Sequence, residues 1–217
     1  MAARSVALPV HVYHIAERSN WESVQRHGLL STVALLDRAR VHGPLREALV
    51  KEQRKDEHAL PDGVVIRDQK PMSSAALERC LVGMTPSEWY ALLNAKVFFW
   101  FSVERLNRMR RVYSAAPQVV LTVDTALLLE RHGAATSLSP FNSGNARRAP
   151  ARRGRSTFVP YKEWLRSGWD TETAAVGARP RPRRHLPVEL TVEQAVPDIL
   201  EMTVDVRELA PDHLFAP

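Results

Sequence analysis

Cysteine is nearly absent from this 217-residue sequence: Cys80 stands alone, which excludes an internal disulfide and a cysteine-rich zinc site. Long hydrophobic runs are missing as well. No stretch reaches the roughly 20 apolar residues that span a bilayer, and the first ten residues have no signal-peptide core. No membrane association and a reducing cytoplasm are therefore expected. Glycine is scarce at nine residues, and none builds a phosphate loop ending in Lys-Ser/Thr or a dinucleotide fingerprint after a strand. No His-Glu-x-x-His segment or cysteine pair offers metal ligands, so no metal is expected. These absences weigh against a P-loop hydrolase, a Rossmann dehydrogenase and a zinc enzyme. They leave room for an enzyme that consumes NAD in a different fold.

What is present is positive charge. Thirty Lys and Arg against 24 Asp and Glu leave a net charge of +6 and a pI near 9.9. The excess is concentrated between Arg147 and Arg184, where ten arginines (147, 148, 152, 153, 155, 166, 179, 181, 183 and 184) meet only Glu163, Asp170 and Glu172. Guanidinium forks pair with phosphate oxygens, so the cluster suits a nucleic acid or another polyanion. A solvated, arginine-rich loop has the same composition.

Local patterns predict one domain over 1–217, of α+β class because strands and helices mix rather than alternate strictly. Val10–Ile15 reads as a short strand, and Ser19-Asn20-Trp21-Glu22 has capping-box spacing before a helix stopped by Gly28. Ser31 or Thr32 caps a second helix. Pro44–Arg54 looks helical, Lys51–Asp62 polar and Val64–Ile66 strand-like, so residues 40–75 are expected to form a mobile, largely helical insertion. Ser73 and Ser74 offer caps for a helix through Leu81, and Thr85-Pro86-Ser87-Glu88 is a strong helix start. Lys96–Ser102 is the most hydrophobic segment and reads as a buried strand, followed by a basic helix over 104–112. Gln118–Val123 is a further strand and Thr125–His132 a helix ended by Gly133. Residues 139–157 form a long basic loop. Val188–Val192 and Met202–Val206 close the chain as strands, separated by Pro197.

Three separated segments carry candidate chemistry. The first is Tyr13-His14-Ile15 with Asn20 and the Gly28-Leu29-Leu30-Ser31 turn. The second is Val97-Phe98-Phe99-Trp100-Phe101-Ser102 followed by Arg105, and the third is Glu189-Leu190-Thr191-Val192 with Val196-Pro197 behind it. In this order they resemble the DarT-type DNA ADP-ribosyltransferases, in scattered blocks covering about half of the chain. In that family a strand ending in histidine precedes an Asn-containing helix and a Gly-Leu-Leu turn. An aromatic strand then leads to an arginine, and a late strand carries the catalytic glutamate. Aligned without a gap, the family arginine falls on Glu104; a one-residue shift brings in Arg105, with Arg108 as a substitute. Phe98 and Val103 stand where the family tends to have proline.

The resemblance implies a split, twisted β-core with surrounding helices that holds NAD, as substrate, in a central cleft. It implies a toxin or defence effector that modifies a nucleic-acid base, single-stranded DNA being favoured, with an antitoxin protein as a further partner. Breaking the nicotinamide–ribose bond develops positive charge on the sugar, which a carboxylate can stabilise while it takes a proton from the acceptor. Glu189 takes that role, with Glu193 as its rival. Arg105 grips the pyrophosphate or aligns the acceptor. His14 meets the ribose or the adenosine side; Tyr13, Asn20, Gly28, Leu29 and Trp100 complete the expected NAD site. Beyond the resemblance, Asn142, Asn145, Arg152, Arg153 and Arg155 offer amides and guanidinium groups to a base and its phosphates. Each of these residues also has an ordinary structural use. A non-catalytic nucleic-acid-binding protein, or transfer to RNA or protein, stays open as an alternative.

Overall fold

A computed structural model describes residues 7–69, 72, 74–113, 115–146, 150–182 and 184–217. Strand β1 (His11–Glu17) runs into a 3-10 turn (Arg18–Asn20) and helix α1 (Trp21–His27). The Ser19 capping box does not form. The helix starts one residue later than that box requires, with Asn20 at its N-cap position, and the Asn20 amide is engaged elsewhere. Gly28 does stop the helix, at φ 71°, and donates its N–H to Val24 O. Strand β2 (Leu29–Leu30) and α2 (Thr32–Arg38) follow, the latter capped by Ser31 Oγ, which accepts from Ala34 N.

Helix α3 (Gly43–Lys51) and the small hairpin of β3 (His58–Ala59) with β4 (Val65–Ile66) come next. They enclose an apolar cluster of their own, including Leu36, Leu49, Leu60 and Ile66. Helix α4 (Ser74–Cys80) precedes α5 (Pro86–Asn94), where Thr85 and Glu88 form the predicted capping box. The Ser73 cap lies outside the described residues. Strand β5 (Lys96–Trp100), α6 (Val103–Val112), β6 (Gln118–Asp124) and α7 (Thr125–His132) match the sequence reading to within a few residues.

Between Ser139 and Arg155 the basic segment holds no helix or named strand among its described residues. Strand β7 (Thr136–Ser139) opens it, a 3-10 turn (Arg155–Thr157) and β8 (Val159–Pro160) close it, and helices α8 (Tyr161–Ser167) and α9 (Asp170–Val176) come next. Neither helix was anticipated; each is only seven residues long and buries one tryptophan flank, Trp164 and Trp169. Strand β9 (Glu189–Glu193), β10 (Ala195–Val196), α10 (Ile199–Met202) and β11 (Thr203–Leu209) finish the chain, with Pro197 between β10 and α10 as the strand break predicts.

Seven strands form one sheet in the order β11-β6-β1-β5-β9-β7-β8, with every pairing antiparallel. Helices cover both faces, so the architecture is α+β. The sheet is nearly split in the middle. β1 aligns with β6 along seven residue pairs but with β5 at only one, Tyr13 with Trp100. Beyond that point β1 and β5 diverge. Alternate residues feed two cores: Val12, Val97, Phe99, Leu121 and Leu190 enter one with Trp164 and Trp169, while Ile15, Trp100 and Val120 enter the other with Leu106 and Phe215. Among the described residues no helix is long and apolar enough to cross a membrane.

Candidate active site

The gap between β1 and β5 is the floor of a cleft of about 300 Å³. Its lining includes His14, Ala16 and Glu17 of β1, Phe98 and Trp100 of β5, and the Gly28–Leu30 turn. Arg54 and residues 64–69 supply one wall; Asn142, Gly144 and Glu189 stand on another. Residues from all three of the separated sequence segments therefore meet in one place.

Glu189 lies directly opposite Trp100 on β5 and Ser139 on β7, so its side chain shares the Trp100 face of the sheet. It is 2% exposed. Ser143 N donates to its Oε2 at 3.0 Å. Burial pushes the carboxyl up to about 7, against the pull of Ser143 and of the Arg153 and Arg105 charges. Glu193, the rival, sits four residues along and is committed to an ion pair with Lys96 across the β9–β5 register. It is not part of the cleft wall.

His14 faces Glu189's cleft from β1. Its Nδ1 is 2.8 Å from Phe98 O, and a carbonyl can only accept, so the proton resides on Nδ1 and Nε2 keeps a lone pair. Burial, aided by the Arg67 charge and opposed by the Phe98 carbonyl, lowers its pKa to about 4 and keeps it neutral. The ring also packs on Phe99 at 5.6 Å between centroids.

Gly28 is fixed by geometry. A Cβ there would come within 2.3 Å of Val196 O and 2.4 Å of Pro197 Cα, besides needing positive φ. The turn is thus pressed against β10, to which Leu29 and Leu30 pair. Asn20 lines the cleft but uses its amide as a two-point clamp on Val65, donating to Val65 O and accepting from Val65 N, both at 2.8 Å.

Several expected site residues lie elsewhere. Tyr13 points to the opposite side of β1 from His14; although its register partner Trp100 lines the cleft, Tyr13 packs on Phe215 at 5.6 Å and stays outside it. Arg105 is half-buried on α6 and does not line the cleft, although its charge reaches Glu189. Arg108 is exposed and paired with Glu104. Arg153 departs most from expectation. It is 2% exposed, so its guanidinium is closed to phosphates. It bonds instead to the carbonyls of Ala151, Ser143 and Asn145. Arg152 and Arg155 are exposed, as are Arg166, Arg179, Arg184 and Asn145, whereas Arg181 pairs with buried Glu172. Arg147, Arg148 and Arg183 lie outside the described residues.

The cleft also contains two cations, Arg67 and Arg54, that the sequence reading did not single out. Arg67 bonds to Ile15 O and pairs with Glu17, while its Nη1 is buried without a partner. Arg54 ties the wall to α5 through Asn94 Oδ1 and to α3 through Leu49 O. Tyr113 donates to Asp68, and burial together with that carboxylate raises its pKa. Arg67 follows the predicted Val64–Ile66 strand, which was a usable signal; nothing local distinguishes Arg54. Among the described residues no group of three His, Cys, Asp or Glu side chains could hold a metal ion.

The chain matches the family described as "Family of unknown function (DUF7002)" over residues 10–203, and it belongs to that family. No curated protein matches it. Among solved structures it is similar, distantly and in part, to Thermus sp. 2.9 DarT in complex with NAD+. That likeness has 15% identity, a TM-score of 0.40, and covers 91% of this chain and 81% of that one. It is also similar to Thermosipho africanus DarTG in complex with ADP-ribose, at 15% identity and a TM-score of 0.41, over 90% of this chain and 43% of that one.

Proposed function

We propose that this DUF7002 member is an NAD-consuming ADP-ribosyltransferase that modifies a nucleic-acid base, with single-stranded DNA as the favoured acceptor and Glu189 as the catalytic carboxylate. One observation carries the reading: His14, the Gly28–Leu29 turn, Trp100 and Glu189, which the sequence resemblance assigns to one NAD site, line a single cleft although Glu189 lies 175 positions after His14.

The residues suit the group. His14 Nε2 accepts from a ribose hydroxyl while Phe98 O fixes the ring. The partnerless Nη1 of Arg67 is a buried cationic donor with no protein acceptor, as a pyrophosphate oxygen requires. Arg105, farther out on α6, aligns the acceptor or its phosphates. In the reaction the C1′–N bond of NAD breaks with its electron pair passing to nicotinamide. The base supplies the pair for the new C1′ bond, and its proton passes to Glu189. A carboxyl near 7 is partly protonated before substrate arrives; the cationic nicotinamide ribose draws it to the carboxylate form that both steps need. Turnover at subsaturating NAD therefore rises with pH through about 7.

The resemblance extends the proposal to a cytoplasmic toxin or defence effector restrained by an antitoxin. The test of the chemistry is nicotinamide release from NAD with and without single-stranded DNA, RNA and protein. DNA-stimulated release that falls at least about 100-fold in Glu189→Gln supports the assignment. Stimulation by RNA or protein instead would change the acceptor. A second reading draws on the exposed Arg152, Arg155, Arg166, Arg179 and Arg184. Tight, salt-dependent DNA binding with no nicotinamide release under any condition would make the protein a non-catalytic binder.

A further inference from the structure

Of the neighbouring arginines 152, 153 and 155, Arg153 is the one whose side chain is withdrawn from solvent. Its backbone is pinned between α4 and the following turn: Arg153 N donates to Cys80 O at 2.9 Å, and Val82 N donates to Arg153 O at 2.8 Å. Its guanidinium then reaches beneath the 141–146 turn. Nη1 donates to Ser143 O and to Asn145 O, each at 3.0 Å, and the plane lies 4.9 Å from the Phe141 ring centroid. Arg181, held by Glu172 through two bonds at 3.0 and 3.1 Å, approaches the same ring at 5.7 Å.

The turn so held is the one that touches Glu189. One residue carries both contacts: Ser143 offers its carbonyl to Arg153 and its N–H to Glu189 Oε2. The flanking Asn142 and Gly144 line the cleft. We infer that Arg153 is a positioning residue for Glu189: by gripping the carbonyls of Ser143 and Asn145 it aims the Ser143 N–H at the carboxylate. Its functional weight rests on the reading of Glu189 as the catalytic carboxylate.

Two effects act together. The aimed N–H stabilises the ionised carboxyl, and the buried positive charge of Arg153 does the same from behind the turn. Arg105 of α6 adds a weaker pull of the same sign. Without Arg153, burial acts with less opposition, and Glu189 holds its proton to higher pH.

The experiment follows the Glu189 carboxyl by NMR in protein labelled with 13C at the glutamate carboxyl carbons, assigned with Glu189→Gln, across pH 5–9. Arg153→Met keeps much of the side chain's length and removes the donors and the charge. Its Glu189 midpoint should rise by about one pH unit or more. Arg153→Lys keeps the charge without the planar fork and should raise it by about half a unit. If Arg153→Met fails to fold, the lysine variant decides alone. A folded variant whose stability drops while the midpoint stays within about 0.2 units of the parent would overturn the inference, because a purely structural arginine behaves in that way. No NAD turnover is read, so a failure of the proposed activity is seen separately.

Discussion

At the scale of single residues, Glu189 and His14 in the cleft are held far from their ordinary midpoints in opposite senses. Glu189 is raised to about 7, chiefly by burial, so its burial costs nothing below the unfolded value of 4.5. The cost grows as pH climbs, because the unfolded chain releases the proton first, and it levels off above about 7. Glu189→Gln should therefore raise the melting temperature at pH 8, by an amount equivalent to roughly 3 kcal/mol, and change it little at pH 4.5. Thermal scans at the two pH values check the sign. His14 works the other way. Its depressed midpoint leaves it neutral, so its penalty appears as pH falls from 6.5 towards 4. His14→Gln should make the protein less sensitive to acid over that window, measured by the same scans.

That Glu189, His14 and Gly28 line one cleft was legible in the sequence through the order of their motifs. Arg153 was not, since Arg152, Arg153 and Arg155 look alike on paper. What separates them is which side chain the backbone turns inward, and that is decided by the Cys80 and Val82 bonds some 70 positions earlier. Tyr13 is adjacent to His14 in the motif, but its packing on Phe215, a residue 202 positions later, is invisible to a local reading.

At the scale of elements, the Thr85 capping box and the Lys96–Trp100 strand were readable because their signals are local. The Ser19 box was misread because Asn20 has a partner 45 residues away, in β4. Strand β7 was missed for a related reason: Thr-Ser-Leu-Ser has weak strand character, and it is strand because β9 lies beside it. The Asn20 clamp is what joins the 58–66 hairpin to the start of α1 and so closes the cleft rim. Asn20→Ala should cost about 1–2 kcal/mol in urea unfolding and speed amide exchange at Val65, while leaving amides of β6 protected.

At the scale of the molecule, positive charge is sorted by exposure. Arg153 and Arg110 are interior, while Arg152, Arg155 and Arg166 face solvent. If the surface set meets phosphates, replacing Arg152, Arg155 and Arg166 together by alanine should make the logarithmic salt dependence of single-stranded DNA binding shallower by about two. Fluorescence anisotropy at several salt concentrations measures that slope. An unchanged slope would remove these three from the interface.

The near-split in the sheet also constrains how the chain can be cut. Strands β1, β6 and β11 make one side and β5, β9, β7 and β8 the other, but along the chain the two sets alternate. The polypeptide crosses between the sides four times, so no single break leaves two fragments each owning a complete side. Expressed as two pieces, the protein would have to rebuild both sides together, and losing only the last strand would strip cover from β6, six of whose seven residues are buried.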